Sequence, residues 1–104
     1  MKSTATARAP MPDIHVIHNP AASRFEATVD GLLCVADYSR QGHTVAMTHT
    51  YVPDALRGRG VAAALVKAAL DWARSQGLKV DPQCSYVDVY MQRHRETLDL
   101  LAQD

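Results

Sequence analysis

The chain has 104 residues, a length that suits one domain and leaves no room for a separate substrate domain. Its formal net charge is zero, which argues against a dedicated nucleic-acid binder, because such proteins usually carry a basic excess or a basic stripe. No apolar run approaches the roughly 18 residues that a membrane-spanning helix needs, so we expect no membrane segment.

The two cysteines, Cys34 and Cys84, lie far apart and form no CxxC pair. A secreted domain of this size tends to carry more cysteine pairs, so we interpret both as free thiols in a reducing, cytoplasmic setting. Residues 1–12 are rich in Ala, Thr and Pro and are predicted to be a disordered lead-in to a domain over residues 13–104. A transit peptide is an alternative for this segment, but the segment is short for one.

The first half of the chain predicts an antiparallel meander. Short strands are expected at residues 14–18, 24–29, 32–38 and 43–52, where apolar and polar or β-branched residues alternate or cluster. Asp30-Gly31 is a strong hairpin turn because the glycine adopts positive φ at little cost, and Gln41-Gly42 predicts the next turn.

The second half predicts a helix followed by a returning strand. From about residue 61 to 76 the chain is Ala-rich, and Leu65, Ala69, Trp72 and Ala73 recur on one face, which makes Trp72 a core residue. Gly77 is suited to end the helix, residues 78–80 predict a parallel strand, and residues 85–101 predict one or two short helices. The expected class is α+β, a mainly antiparallel sheet with a central helix packed on it.

The start of the long helix lacks the residues that usually cap one. A helix start leaves several backbone N–H groups without partners, and Ser, Thr, Asp or Asn normally satisfies some of them. Here the preceding residues are Arg57-Gly58-Arg59-Gly60, and none of their side chains accepts a hydrogen bond. The pattern suits a bound anion, although a plain glycine-rich loop with hydrated amides is the alternative.

This segment resembles the [RQ]-x-x-G-x-[GA] pattern of GNAT acetyltransferases, through Arg57 to Ala62. The chain more narrowly resembles a GNAT-like family of short proteins, in which His-Thr-x-Val-Pro precedes the loop, as at residues 49–53 here. A segment like Gly-Leu-Lys-Val-x-Pro-x-Cys follows the helix, as at residues 77–84, and Tyr90 and His94 complete the pattern. The resemblance covers about residues 25–101.

The resemblance implies a curved sheet with acetyl-CoA lying across the loop. The pyrophosphate is expected at the backbone amides of about residues 59–64 and the pantetheine arm along the strand near residues 50–52. His94 either touches the cofactor or caps a helix end. The residues expected to bind the cofactor are Thr50, Tyr51, Val52, Arg57, Gly58, Arg59, Gly60, Val61, Ala62, Ala63 and His94.

Three side chains are candidates for the chemistry. Cys84 precedes a predicted helix start, where a thiolate is favoured, and is either an acyl-accepting nucleophile, a general acid or a buried structural thiol. Tyr90 matches a tyrosine that often protonates the thiolate in GNAT enzymes, or it is a core aromatic. His49 is expected to share a strand face with Met47 and Tyr51, as a base or as an ordinary sheet histidine.

The sequence leaves three hypotheses for function. The first is an acyltransferase that uses acetyl-CoA and a small amine or a protein lysine, as a monomer or weak homodimer. The second is a CoA-binding module without turnover, and the third is an interaction domain whose glycine loop binds nothing. No metal is predicted, because His15, His18 and His43 have no ligand spacing with cysteines or acids.

Overall fold

The computed structural model describes residues 14–102, so the predicted lead-in over residues 1–12 lies outside the described residues. The elements are β1 (Ile17–Asn19), β2 (Arg24–Val29), β3 (Leu32–Gln41), β4 (Thr44–Tyr51), α1 (Val61–Ser75), β5 (Lys79–Pro82) and α2 (Ser85–Arg93), with 3₁₀ turns at Pro20–Ala22, Asp54–Leu56 and Arg95–Leu100. The strands form one sheet in chain order, antiparallel except for the parallel pair β4–β5. The predicted α+β class with a mainly antiparallel sheet is confirmed.

The boundaries of several strands differ from the prediction. β1 begins at Ile17 instead of residue 14, because its three pairs run only from Ile17 with Glu26 to Asn19 with Arg24. The chain then reverses at once, and the Asn19 side chain accepts a hydrogen bond from the Ala22 N–H at 3.2 Å. β3 continues three residues beyond the predicted end, and β5 extends to Pro82, because β4 supplies a partner along both stretches.

The hairpin between β2 and β3 is the tight turn that the sequence predicts. Asp30 has φ of 52° and Gly31 has φ of 78°, so both central residues are left-handed. This conformation matches the right-handed twist of the flanking strands, and aspartate is among the few side chains that tolerate it.

A β-bulge interrupts the pairing of β3 with β4. Asp37 pairs with His49 and the next residue, Tyr38, pairs with Met47, which leaves Thr48 as an extra residue in β4. Because side chains alternate between the two faces of a sheet, one inserted residue reverses the alternation beyond it.

The bulge changes which side chains of β4 point toward the helix. Met47 is almost fully buried, whereas His49 is exposed and the Tyr51 side chain is 51% exposed. The prediction that His49 shares a face with Met47 is therefore wrong. Thr50, opposite the fully buried Ala36, is the residue that points inward after the bulge.

Helix α1 lies across the inner face of the sheet and contacts β2, β3, β4 and β5. The predicted face is confirmed at Leu65, Ala69 and Ala73, and it is wider than predicted because Val66 and Leu70 are buried as well. Small residues along the helix let it approach the sheet closely. Gly77, with φ of 70°, follows the end of α1.

The last third of the chain covers one end of this core. The prediction of one or two short helices is confirmed by α2 and by the 3₁₀ turn after it, which bury Val87, Met91 and Leu100. The Ala102 N–H donates to the Val80 carbonyl at 2.8 Å, which ties the end of the described chain to β5. Among the described helices, none has the length and hydropathy that crossing a membrane requires.

Four rings pack together where β1 meets the C-terminal half of α1. His18 stacks on Phe25 with ring centroids 4.2 Å apart, and its Nε2 lies 2.6 Å from the Tyr38 hydroxyl. Trp72 contacts all three rings, so it is a half-buried member of this cluster rather than a fully buried core residue. Burial lowers the pKa of His18, because desolvation disfavours the charged ring.

We expect the free energy of unfolding to fall as the pH drops below the ordinary histidine pKa of 6.5. Below this pH the unfolded chain protonates His18, whereas the folded protein keeps the ring neutral. The unfolded state therefore binds more protons than the folded state, so the free energy of unfolding falls as the pH drops and rises again as the pH is raised. Urea midpoints at about pH 7.5 and about pH 5.5 measure the effect. The pKa values of Glu26 and Asp99 are also lowered, but these carboxyl groups change the free energy of unfolding only at pH values below the range of the two measurements.

His18→Phe keeps a ring against Phe25 and should flatten this pH dependence. His43→Gln, which changes an exposed histidine in the β3–β4 turn, is the matched control and should leave the dependence intact. An unchanged slope in His18→Phe would contradict the assignment.

Candidate functional site

The start of α1 is open to a ligand. Gly60 precedes the helix with φ of 81°, and no side chain caps it. The Ala64 N–H bonds to the Gly60 carbonyl at 3.1 Å, so the N–H groups of Val61, Ala62 and Ala63 precede the hydrogen-bond ladder of the helix. The first turn contains no acidic residue. These N–H groups and the positive end of the helix dipole therefore face outward without a compensating charge from the first turn.

The two loop arginines have different surroundings. The Arg57 side chain lines the groove beside the loop and forms an exposed ion pair with Asp54 at 3.0 Å. Arg59 donates to Asp30 of the β2–β3 turn at 2.7 Å. Arg57 is thus the loop arginine at the groove, whereas Arg59 ties the loop to the hairpin.

Three neighbouring cavities form one groove from the end of β4 to the end of α2. The first, of about 320 Å³, is lined by Thr50, Tyr51, Val52, Asp54, Arg57, Ala62 and Tyr86. The second, of about 200 Å³, lies along the glycine loop and the first turn of α1, and the third, of about 130 Å³, lies between α1 and α2. Among the residues predicted to bind the cofactor, the groove collects all except Arg59.

Cys84 lies beside this groove at the point where β4 and β5 separate. Pairing between these strands ends at Met47 and Pro82, and the Cys84 N–H then donates to the Met47 carbonyl at 2.8 Å. This bond turns the chain into α2 and brings the Cys84 Sγ to 3.5 Å from the Thr50 hydroxyl. The bulge in β4 is what turns Thr50 toward the thiol.

The surroundings of Cys84 favour its thiolate. Burial alone raises the thiol pKa, but hydrogen bonds from the Thr50 hydroxyl and from the N–H groups of Val87, Tyr86 and Thr50 outweigh burial, so the net pKa is lowered. The start of α2 contributes two of these donors, as expected for a cysteine at a helix N-terminus. Cys34 is the opposite case, because burial raises its pKa and nothing offsets it.

Tyr86 is a groove residue that the sequence prediction missed. It borders all three cavities from the first turn of α2, and its side chain is 40% exposed. Burial raises the pKa of its hydroxyl, and the charge of Arg93 partly opposes that. The signal in the sequence was its position two residues after Cys84, on the exposed side of a predicted helix start.

Tyr90 and His94 form a stacked pair at the far end of the groove. Their ring centroids are 3.9 Å apart, and the His94 Nδ1 lies 2.8 Å from the Tyr90 carbonyl oxygen. Burial raises the pKa of the Tyr90 hydroxyl, and the positive charge of Lys67 partly offsets this increase. Tyr90 also borders a separate cavity beside Lys67 and Asp71, so its role as a proton donor stays a prediction.

The remaining predicted catalytic residue, His49, lies on the outer face of the sheet opposite Asp37. It lines none of the three groove cavities. Within residues 14–102, no group of three or more His, Cys, Asp or Glu side chains is arranged to hold a metal ion.

An open, mostly antiparallel sheet with a helix that begins, uncapped, beside a groove agrees with the expected GNAT-like acyl-CoA N-acyltransferase fold. A family model of the GCN5-related N-acetyltransferases matches residues 24–100. The chain belongs to this family.

Comparisons with known proteins agree with this assignment. The chain is 36% identical over 88 residues to Protein NATD1 of Xenopus tropicalis, covering 82% of this chain and 81% of that protein. It is also 36% identical over 84 residues to Protein NATD1 of Homo sapiens, covering 78% and 74% of the two chains.

The fold is similar to the NMR solution structure of a GCN5-like protein from Staphylococcus aureus. The TM-score is 0.70 at 24% sequence identity, and the match covers 90% of this chain and 93% of that chain. At this identity the likeness concerns the fold.

We expect Cys84 to be alkylated by iodoacetamide in the folded protein with a pH midpoint below 9.0, the ordinary value for a thiol. Thr50→Val removes one donor to the thiolate and should move that midpoint upward. Mass spectrometry locates the modification, and Cys34 should react only after unfolding, because it is fully buried.

Thr48→Val is the matched control, because the Thr48 hydroxyl donates to the Asp37 carbonyl instead of the thiol. A midpoint at or above 9.0 for the wild-type protein would contradict the account of Cys84.

Proposed function

We propose that the chain is an acyltransferase that binds acetyl-CoA and transfers the acetyl group to an amine, either a small molecule or a protein lysine. The observation that carries the proposal is that the groove runs from the start of α1 to Thr50, whose hydroxyl lies 3.5 Å from the Cys84 sulfur. At the loop lie the unpaired N–H groups of α1, and beside the end of β4 lies a thiol whose pKa is lowered.

The loop fits a diphosphate for reasons of geometry and charge. The backbone of Val61, Ala62 and Ala63 supplies donors, and the helix dipole supplies a positive potential. Gly58 and Gly60 have φ near +80°, which lets the loop reach the helix without side chains over the N–H groups. Arg57 adds a cation at the rim of the same cavity.

The end of β4 fits an extended amide-containing arm. The ladder between β4 and β5 ends at Met47, although β4 itself continues to Tyr51. Tyr51 and Val52 are therefore not paired with β5. The free edge is lined by Thr50, Tyr51 and Val52 along the first cavity. Backbone groups on such an edge are suited to bind peptide-like amides.

Acetyl-CoA supplies an activated acetyl thioester when bound. Cys84 would act as the acyl acceptor, because its thiolate is stabilised by Thr50 and by the start of α2. The acetyl carbon would form a bond to Sγ as the carbon–sulfur bond to coenzyme A breaks and the coenzyme A thiolate leaves. The neutral acceptor amine would then form a bond to the acetyl carbon as the bond from that carbon to Sγ breaks, and the proton lost by the amine would pass to the released thiolates or to solvent. The two unpaired thiols are consistent with a reducing, cytoplasmic setting.

Ala62→Asp tests the loop directly. An acid in the first turn of α1 should stabilise the helix by about 0.3–1 kcal/mol, because it complements the helix dipole. The same charge should repel a diphosphate and weaken coenzyme A binding by at least about tenfold, or about 1.4 kcal/mol. Isothermal titration calorimetry measures the binding, and thermal unfolding measures the stability.

Gln92→Glu adds the same negative charge at an exposed position of α2 outside the groove, and it should leave binding close to that of the wild type. Equal affinity of Ala62→Asp and the wild type would exclude the loop as the diphosphate site. No binding of coenzyme A by the wild type would refute the proposed function itself.

Intact-protein mass spectrometry after incubation with acetyl-CoA tests the chemistry. The wild type should gain the mass of one acetyl group at Cys84 and release it to added amine, whereas Cys84→Ala should gain none and still bind coenzyme A. Cys34→Ala should behave as the wild type, since Cys34 is a fully buried residue of β3 that lines none of the groove cavities. Acetyl transfer that persists in Cys84→Ala would remove the thiol from the mechanism. Binding with neither adduct nor transfer would favour the non-catalytic module.

A further inference from the structure

We propose that the groove contains a second anion subsite, formed by Arg93 and His94, that recognises the 3′-phosphate of coenzyme A. This inference rests on the proposed function, because it concerns the nucleotide end of the same ligand. It assigns a specificity role to a residue, Arg93, that the family resemblance did not single out.

The first support is the position of the third cavity. It lies between the first turn of α1 and the length of α2, and its lining residues are Ala63, Tyr86, Val89, Tyr90, Arg93 and His94. Ala63 and Tyr86 also line the loop cavity, so the two spaces adjoin. A ligand that places its diphosphate at the start of α1 can continue into this cavity with its nucleoside.

The second support is the charge of Arg93. Within residues 14–102 this side chain has no ion pair, whereas Arg57 and Arg59 are each paired with an aspartate. The Arg93 side chain lines the third cavity beside Tyr86. A guanidinium with free donors is suited to a phosphate monoester, which it can bind through two parallel hydrogen bonds.

The third support is the orientation of the His94 ring. The Nδ1 atom lies 2.8 Å from the Tyr90 carbonyl oxygen, and because a carbonyl oxygen only accepts, Nδ1 carries a proton. The stack on Tyr90 holds the ring in place and leaves Nε2 for a ligand.

The chemistry of the ligand distinguishes this subsite from the loop. Coenzyme A carries a diphosphate and, on its ribose, a separate monoester phosphate, and dephospho-CoA lacks only the latter. The alternative role for Arg93 is to complement the negative C-terminal end of the α2 dipole. That role predicts an effect on stability and none on the choice between these two ligands.

The test is calorimetry with coenzyme A, dephospho-CoA and inorganic phosphate on the wild type, Arg93→Gln and Arg93→Lys. We expect the wild type to bind coenzyme A about tenfold more tightly than dephospho-CoA, as one partly exposed charge-assisted contact implies. Arg93→Gln should bring the two affinities close together by weakening coenzyme A alone, and Arg93→Lys should restore part of the preference. Inorganic phosphate should bind far more weakly than coenzyme A.

Arg95→Gln is the matched control, because Arg95 is exposed, lies two residues away and lines none of the groove cavities; it should keep the full preference. Thermal unfolding checks that each variant is folded. Equal wild-type affinities for the two ligands, or an undiminished preference in Arg93→Gln, would overturn the inference while leaving the proposed function standing. Tight binding of inorganic phosphate would overturn it in favour of a free-anion site, and binding of neither nucleotide would refute both.

Discussion

The N–H groups at the start of α1 determine how the rest of this groove is organised. A helix start that is short of acceptors is costly unless a side chain, water or a ligand completes it. Gly60 offers no side chain, and its left-handed backbone aims the chain into the helix with the N–H groups uncovered. The helix remains in place because its apolar face is buried on the sheet, where Leu65 and Val66 are fully enclosed. Packing thus stabilises a helix whose own start is poorly satisfied.

The thiol end of the groove depends on an irregularity in the sheet. If β4 continued without the bulge at Thr48, His49 would point inward and Thr50 outward, away from Cys84. With the bulge, the Thr50 hydroxyl reaches the sulfur, and the strand end separates from β5. Pro82 contributes to the separation, because it has no N–H for the ladder to continue. The inserted residue therefore sets the hydrogen bond of the thiol, and the free edge of β4 begins where the ladder with β5 ends at Pro82.

The sequence predicted the features that depend on local patterns. The Asp30-Gly31 turn, the helix from Val61 and its end before Gly77 follow from turn chemistry and from the period of the apolar residues. The predicted face of His49 was wrong, because a strictly alternating pattern does not reveal a bulge that arises from pairing with β3. The predicted bounds of β1 also differ from the observed bounds, since the extent of β1 is set by the residues of β2 that pair with it.

The candidate site likewise contains features that a local sequence pattern predicts and features that depend on tertiary packing. The glycine loop was visible in the sequence because a missing cap is a local property. The position of Tyr86 on all three cavities was not, because it depends on how α2 packs beside α1. A different tertiary contact distinguishes Arg57 from Arg59. The sequence does not distinguish these two arginines, but only Arg57 borders the groove, since the β2–β3 hairpin supplies Asp30 as a partner for Arg59.

Two helices begin at this groove, and neither is capped by a side-chain oxygen. α1 follows Gly60, and α2 follows Cys84, whose sulfur accepts hydrogen bonds from the N–H groups of Tyr86 and Val87. Ala62 from the first turn of α1 and Tyr86 from the first turn of α2 line the same cavity, so the two positive helix ends converge on one space. Their fields add there, which favours negative charge at both places. Hydrogen bonds from the start of α2 help to lower the pKa of the Cys84 thiol, and the N–H groups at the start of α1 are suited to an anion from outside the protein.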